Sequence, residues 1–132
     1  SYADAGVSVY GNAVLASSKL IAENPRAVAG FVRATNRALR ETLADPAAAM
    51  VHVKKREPLI DEKVGLERFR ITAKYVTAPD TRAHGLGDIR KLTLDQQVEE
   101  VAEVYALKFR PSPDAIYNLG FLPPRGERMV KA

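Results

Sequence analysis

The sequence predicts a mainly α-helical chain with one N-terminal strand region and no sheet to receive it. Two observations carry this reading. Asx–Pro pairs recur as helix starts, at Asn24-Pro25 and Asp45-Pro46. Apolar residues recur at helical spacing over most of the chain between Ser17 and Phe109, whereas β-branched residues alternate only near the start. The count is about five helices.

The opening, Ala5 to Ala16, is rich in β-branched and small residues. Val7 and Val9 flank Ser8, and Val14 and Leu15 follow a Tyr10-Gly11-Asn12 break. This reads as one or two short strands with a bend at Gly11. Ser17 or Ser18 then caps a short helix over Lys19 to Glu23. Asn24-Pro25 opens a long helix to about Leu43, with Val28, Phe31, Val32, Thr35, Ala38, Leu39 and Leu43 on its apolar face. Arg26, Arg33, Arg37 and Arg40 line the other side. Asp45-Pro46 opens a third helix, Ala47 to about Arg56, which Pro58 ends. Asp61 caps a fourth, with Leu66, Phe69, Ala73 and Val76 facing inward, closed by Ala78-Pro79-Asp80. A loop spans Thr81 to Asp88. Thr93 with Gln96 forms a capping box for a fifth helix to about Phe109, with Leu94, Val98, Val101, Tyr105 and Lys108 along one side. Residues 110–132 hold four of the eight prolines and read as an extended wrap, docked by Ile116, Tyr117, Phe121 and Leu122. The helical aromatics Phe31, Phe69, Tyr75, Tyr105 and Phe109 are expected in the core.

Composition removes several function classes. The 132 residues carry no cysteine, which excludes disulfides, thiolate metal sites and cysteine nucleophiles. The two histidines, His52 and His84, are too far apart in sequence for an HExxH motif. The net charge of +4 is spread among interleaved acidic residues, unlike the clustered basic stripe of a nucleic-acid binder. No apolar stretch reaches the ~20 residues that a bilayer span needs, and no signal peptide is evident at the N-terminus. A lone strand region leaves its backbone donors and acceptors without ladder partners. The sheet is expected from another chain or from sequence not present here. With no initiator Met, the chain reads as a fragment.

Catalytic motifs are absent: there is no G-x-S-x-G, no Walker loop and no carboxylate pair at a motif spacing. Asp61-Glu62 and Glu99-Glu100 read as helix-start and surface charges. Gly85-Leu86-Gly87 lacks the context of a dinucleotide loop and reads as a turn that needs positive φ. His84 beside it is either a ligand donor or a surface residue, and His52 is a surface or boundary residue. Tyr10-Gly11-Asn12 combines an aromatic face, both hydrogen-bond polarities and a glycine that permits close approach. Its plainer alternative is a strand end with a bulge.

The order of these features resembles the C-terminal part of ABC-transporter substrate-binding proteins. The subfamily is the one serving nitrate, taurine and aliphatic sulfonates, and the thiamine pyrimidine precursor. The residues that carry the resemblance are Asp4-Ala5-Gly6-Val7 with Val9-Tyr10-Gly11-Asn12, Ala16 to Pro25, Val28 with Phe31 to Thr35, Leu43 to Ala47, and Thr81 with Gly85-Leu86-Gly87. The resemblance implies a type II periplasmic binding-protein fold: two α/β lobes, a hinge of crossing strands and ligand in the cleft. Residues 1–16 would be the hinge or return strand, 17–109 the helical part of the first lobe, and 110–132 its extended tail. The N-terminal sheet and second lobe of that fold have no counterpart here.

The implied role is binding without chemistry, as the extracytoplasmic solute-binding component of an ABC importer. Ligand-binding candidates are Tyr10 and Asn12. No catalytic residue, metal or cofactor is expected. The implied partners are a small-molecule ligand and the importer's permease, with no nucleic acid, and the implied location is the periplasm or cell surface. An oxyanion ligand would call on Arg and helix N-termini, a heteroaromatic one on Tyr and Asn; Arg82 and Tyr10 could serve one each. Two other classes stay open: a stand-alone helical domain that dimerises through its N-terminal strand, and part of a thiamine-pyrimidine biosynthesis enzyme.

Overall fold

The computed structural model describes residues 10–130. The Val7 and Val9 part of the expected strand lies outside them. Residues 10–17 have no regular secondary structure, and no strand forms among the described residues. The physical reason is the one the sequence raises: residues 11–16 have nothing to pair with. None of their backbone N–H or C=O groups is hydrogen-bonded among the described residues.

Four helices start where their caps predict. In α1 (Ser18–Glu23) the cap is Ser17, whose Oγ accepts from the Leu20 N–H at 3.1 Å. In α2 (Pro25–Ala44) the Asn24 Oδ1 accepts from the Ala27 N–H at 3.1 Å. In α3 (Pro46–Arg56) the Asp45 Oδ1 accepts from the Ala48 N–H at 2.9 Å, and Lys54, Lys55 and Arg56 complement the dipole of the last turn. In α4 (Glu62–Val76) the Asp61 Oδ1 accepts from the Val64 N–H at 3.0 Å. Each such cap contributes about 1 kcal/mol.

Beyond residue 76 the structure departs from expectation. Pro79 ends one helix and also starts the next, α5 (Pro79–His84), because proline is preorganised for the first helical position. The loop expected over Thr81 to Asp88 is therefore helical in its first half. The next helix, α6 (Lys91–Val104), begins two residues before Thr93, and no side chain caps it. It stops short of Phe109 because Ala106 adopts φ +51°. There the Ala106 N–H donates to Glu103 O at 3.1 Å and the Leu107 N–H to Ala102 O at 2.8 Å, a Schellman closure built on alanine. The tail is punctuated by α7 (Pro113–Ile116), a 3-10 turn at Leu119–Phe121 and α8 (Arg125–Arg128).

The long helix α2 organises the packing. It touches α1, α3, α8 and the 3-10 turn, while α4 packs on α3 and α7 on α6. Among the described residues the buried apolar side chains are Val28, Met50, Leu86, Ala102 and Pro123, a small core for a chain of this size. Phe31, Tyr75, Tyr105 and Phe109 are exposed, contrary to expectation, and Phe69 is half-buried. Among the described residues no second layer covers the faces that carry these aromatics.

Candidate functional site

The α2 residues Val28, Val32 and Asn36 recur at four-residue spacing, with Leu39 one turn on, and so share a face. This face forms one side of a groove of about 310 Å³. Residues 12–16 run along it. Leu86-Gly87 and the tail residues Ile116 to Asn118, Phe121 and Leu122 form the opposite wall. Among the described residues no Asp, Glu, Lys, Arg or His lines it.

Asn36 is the anomaly in this apolar stripe. It is only 9% exposed, and its Oδ1 has no hydrogen-bond partner among the described residues. A buried carbonyl oxygen left unpaired costs about 1–3 kcal/mol, and this one is closed to solvent, so a ligand donor would reach it only if the groove wall moved.

The far wall is held by arginines bonded chiefly to main chain. Arg128 is buried and donates to the carbonyls of Pro123 at 2.9 Å, His84 at 3.1 Å and Leu86 at 3.3 Å, and to Asp88 Oδ2 at 3.0 Å. Its own carbonyl accepts from the Leu86 N–H at 2.8 Å. Arg40 of α2 reaches the Glu127 carbonyl, and Arg125 reaches that of Ala83. The 85–87 turn permits this approach. Gly85 and Gly87 have φ of +95° and +78°, and a Cβ at Gly87 would stand 2.8 Å from Leu122 Cδ2. The Tyr117 hydroxyl donates to the Gly87 carbonyl at 2.8 Å. Burial first, and then the Asp88 carboxylate, push the Tyr117 phenol above its ordinary pKa.

The two residues singled out from sequence are placed differently. Asn12 lines the groove. Tyr10 does not; it is fastened to α6. Its N–H donates to Gln97 Oε1 at 3.2 Å, and its hydroxyl accepts from the Arg90 N–H at 2.9 Å, at the start of that helix. Arg82 stands outside the groove and donates to the Thr77 carbonyl at 2.8 Å. His84 contributes its carbonyl to Arg128, and Gly85-Leu86-Gly87 is the positive-φ turn that its glycines predict. The sequence reading puts Val28, Phe31, Val32, Thr35, Ala38, Leu39 and Leu43 on the apolar face and leaves out Asn36, because it judges the face by residue type. The signal was the spacing Val28–Val32–Asn36, which rotates the buried stripe away from Phe31.

A second depression, of about 330 Å³, lies between Ile89 and the 113–119 segment. Its two charges, Lys91 and Asp114, pair with each other at 2.6 Å on the exposed surface. Among the described residues no group of His, Asp or Glu is arranged to hold a metal ion, and no helix is long and apolar enough to cross a membrane.

Residues 1–49 match the family model described as NMT1/THI5-like. The match supports a relation to the nitrate and thiamine-precursor binding proteins, and a solute-binding role in the broad sense. The described part of the matched stretch supplies the α2 side of the groove and the 12–16 segment; the far wall lies outside it. No curated protein and no solved structure matches the chain.

Proposed function

We propose that the chain is the C-terminal part of the extracytoplasmic solute-binding component of an ABC importer, and that the groove beside α2 takes a small uncharged ligand. The observation that carries this reading is a groove whose described lining bears no charge and sets the amides of Asn12 and Asn36 among apolar side chains. An amide oxygen accepts from an N–H or O–H donor. Nitrate or a sulfonate would enter without a counter-charge and lose its hydration uncompensated. A neutral aminopyrimidine of the thiamine-precursor type offers the donor and a flat apolar body for Val28, Val32 and Leu86. The function is binding without chemistry: the described lining holds amides, a phenol, the Thr35 hydroxyl and apolar walls, with no base beside that hydroxyl. Location outside the cytoplasmic membrane and docking on a permease follow from the same reading.

Closure of a two-lobed binding protein needs contacts from both lobes, so this chain by itself should bind weakly. The test is an NMR titration that follows the side-chain amides of Asn12 and Asn36 with 4-amino-5-hydroxymethyl-2-methylpyrimidine, taurine and nitrate. The expected result is saturable shifts at both amides with the pyrimidine alone, at a Kd of about 1 mM, equivalent to roughly 4 kcal/mol. Shifts with taurine or nitrate instead, or none with the pyrimidine, would overturn the reading.

A further inference from the structure

We infer that Leu122 is the gate residue of the groove: its side chain, turning about its own bonds, opens and closes the way to the Asn36 amide. The inference deepens the groove reading and rests on it for the choice of ligand. Asn36 Oδ1 is buried and unpaired among the described residues, so a ligand donor meets it only when part of the wall moves. Gly87 shows which part stands there. The point that a Gly87 Cβ would occupy is 3.8 Å from Asn36 Nδ2 and 2.8 Å from Leu122 Cδ2. The Leu122 side chain fills the space that the missing Cβ leaves, beside the Asn36 amide.

The main chain around this point is pinned from both sides. The Gly87 carbonyl accepts from the Tyr117 hydroxyl at 2.8 Å. Leu86 is bonded to Arg128 twice, through its N–H at 2.8 Å and its carbonyl at 3.3 Å. The Leu122 N–H donates to Leu119 O at 3.0 Å, and Leu122 is held extended, at φ −69° and ψ 141°, by the proline that follows it. Pro123 is itself buried, with its carbonyl bonded to Arg128 Nε at 2.9 Å.

Moving this wall as a body would break several of these bonds together. Turning one leucine breaks none of them, and leucine has staggered wells to turn between. Leu122 is half-buried, so part of its side chain already borders open space. Leu86 on the same wall is 4% exposed and Val28 across the groove 7%, and close packing holds both in place. An opening one side chain wide suits the edge of a flat ring that carries an N–H donor.

The experiment compares the whole unaltered chain with Leu122→Ala, which removes the gate, and Leu122→Ile, which keeps the bulk but is stiff at χ1. In the absence of ligand, NMR relaxation by a dissolved neutral gadolinium chelate reads how closely solvent approaches each side-chain amide. Leu122→Ala should raise the effect at Asn36 severalfold and Leu122→Ile should not, while Asn12 stays unchanged in both. The methyl carbon shifts of Leu122 in the unaltered chain should report averaging between rotamers. With 4-amino-5-hydroxymethyl-2-methylpyrimidine, Leu122→Ala should bind severalfold more tightly in spite of a lower Tm, and Leu122→Ile more weakly at nearly the same Tm. A purely structural wall residue gives the opposite sign, weaker binding on truncation, and that result overturns the gate. A single fixed Leu122 rotamer, or an Asn36 amide no more accessible in Leu122→Ala, overturns it whether or not the pyrimidine binds. If the pyrimidine binds none of the three chains while the accessibility and rotamer results hold, the gate stands and the ligand reading falls.

Discussion

Replacing Asn36 by leucine should make the protein more stable while removing its capacity to hold a polar ligand. The side chain is 9% exposed, its Oδ1 is unpaired among the described residues, and it sits in a stripe with Val28, Val32 and Leu39. Leucine abolishes the unpaired oxygen and adds apolar contact, and the groove has room for the added bulk. Leaving a buried neutral acceptor unmade costs about 1–3 kcal/mol, and partial compensation by solvent favours the low end. A gain of about 1–2 kcal/mol follows, or roughly 3–8 °C in Tm for a chain of this size. Thermal melts at the helical circular dichroism band measure it, with urea unfolding checking that the m-value is unchanged. Asn36→Asp is the opposing control: it buries a carboxylate in a groove without a cation and should lower Tm. A fall in Tm for the leucine variant would refute the reasoning, because the oxygen would then be satisfied and not held in reserve. A rise in Tm together with loss of the pyrimidine-induced shifts is the trade of stability against function expected at a binding residue.

Three further outcomes follow from particular contacts. Arg128→Met should cost about 2–3 kcal/mol in urea unfolding, since it strips donors from three carbonyls and leaves Asp88 unpaired; the loss stays below that of a fully buried pair because Asp88 is 30% exposed. Ala106→Gly should raise stability by about 0.5–1 kcal/mol in the same assay, because glycine adopts the φ of +51° without the Cβ penalty while losing somewhat more entropy on folding. The raised Tyr117 pKa means that the folded chain keeps this proton longer than the unfolded chain, so the associated stability is intact below pH about 10 and is lost as pH rises through the folded value. Tyr117→Phe should flatten that alkaline slope, at a cost of about 1 kcal/mol for the lost bond to Gly87, and spectrophotometric titration should show Tyr117 ionising late.

The helix starts were legible in the first half of the chain because their causes are local. Asn24, Asp45 and Asp61 each cap with their own side chain, three residues from the N–H that they accept. The start of α6 was not legible, because the N–H of Arg90 is met by a hydroxyl from Tyr10, eighty positions away. Thr93 with Gln96 has the letters of a capping box, yet it lies inside the helix. The end of α6 was hidden for a different reason: alanine at Ala106 gives no sign of a left-handed backbone. Of the candidate site, Asn12 and the 85–87 turn could be read from local chemistry. Asn36 could not while the apolar face was judged by residue type alone, and the arginine bonds that set the far wall join segments that only the fold brings together.

Those arginine bonds also bear on how the molecule comes into being. Arg128 reaches back about forty positions and Arg40 forward eighty-seven. Such contacts form late, since the entropy of closing long loops is lost before the contact repays it. While a nascent chain emerges, α2 and its caps can form early, but Val28, Val32 and Leu39 wait uncovered until residues 116–128 have been made. Through that interval the stripe that later lines the groove is a sticky surface. A chain cut before Arg128 should therefore be a stronger client for chaperones than its length alone would suggest.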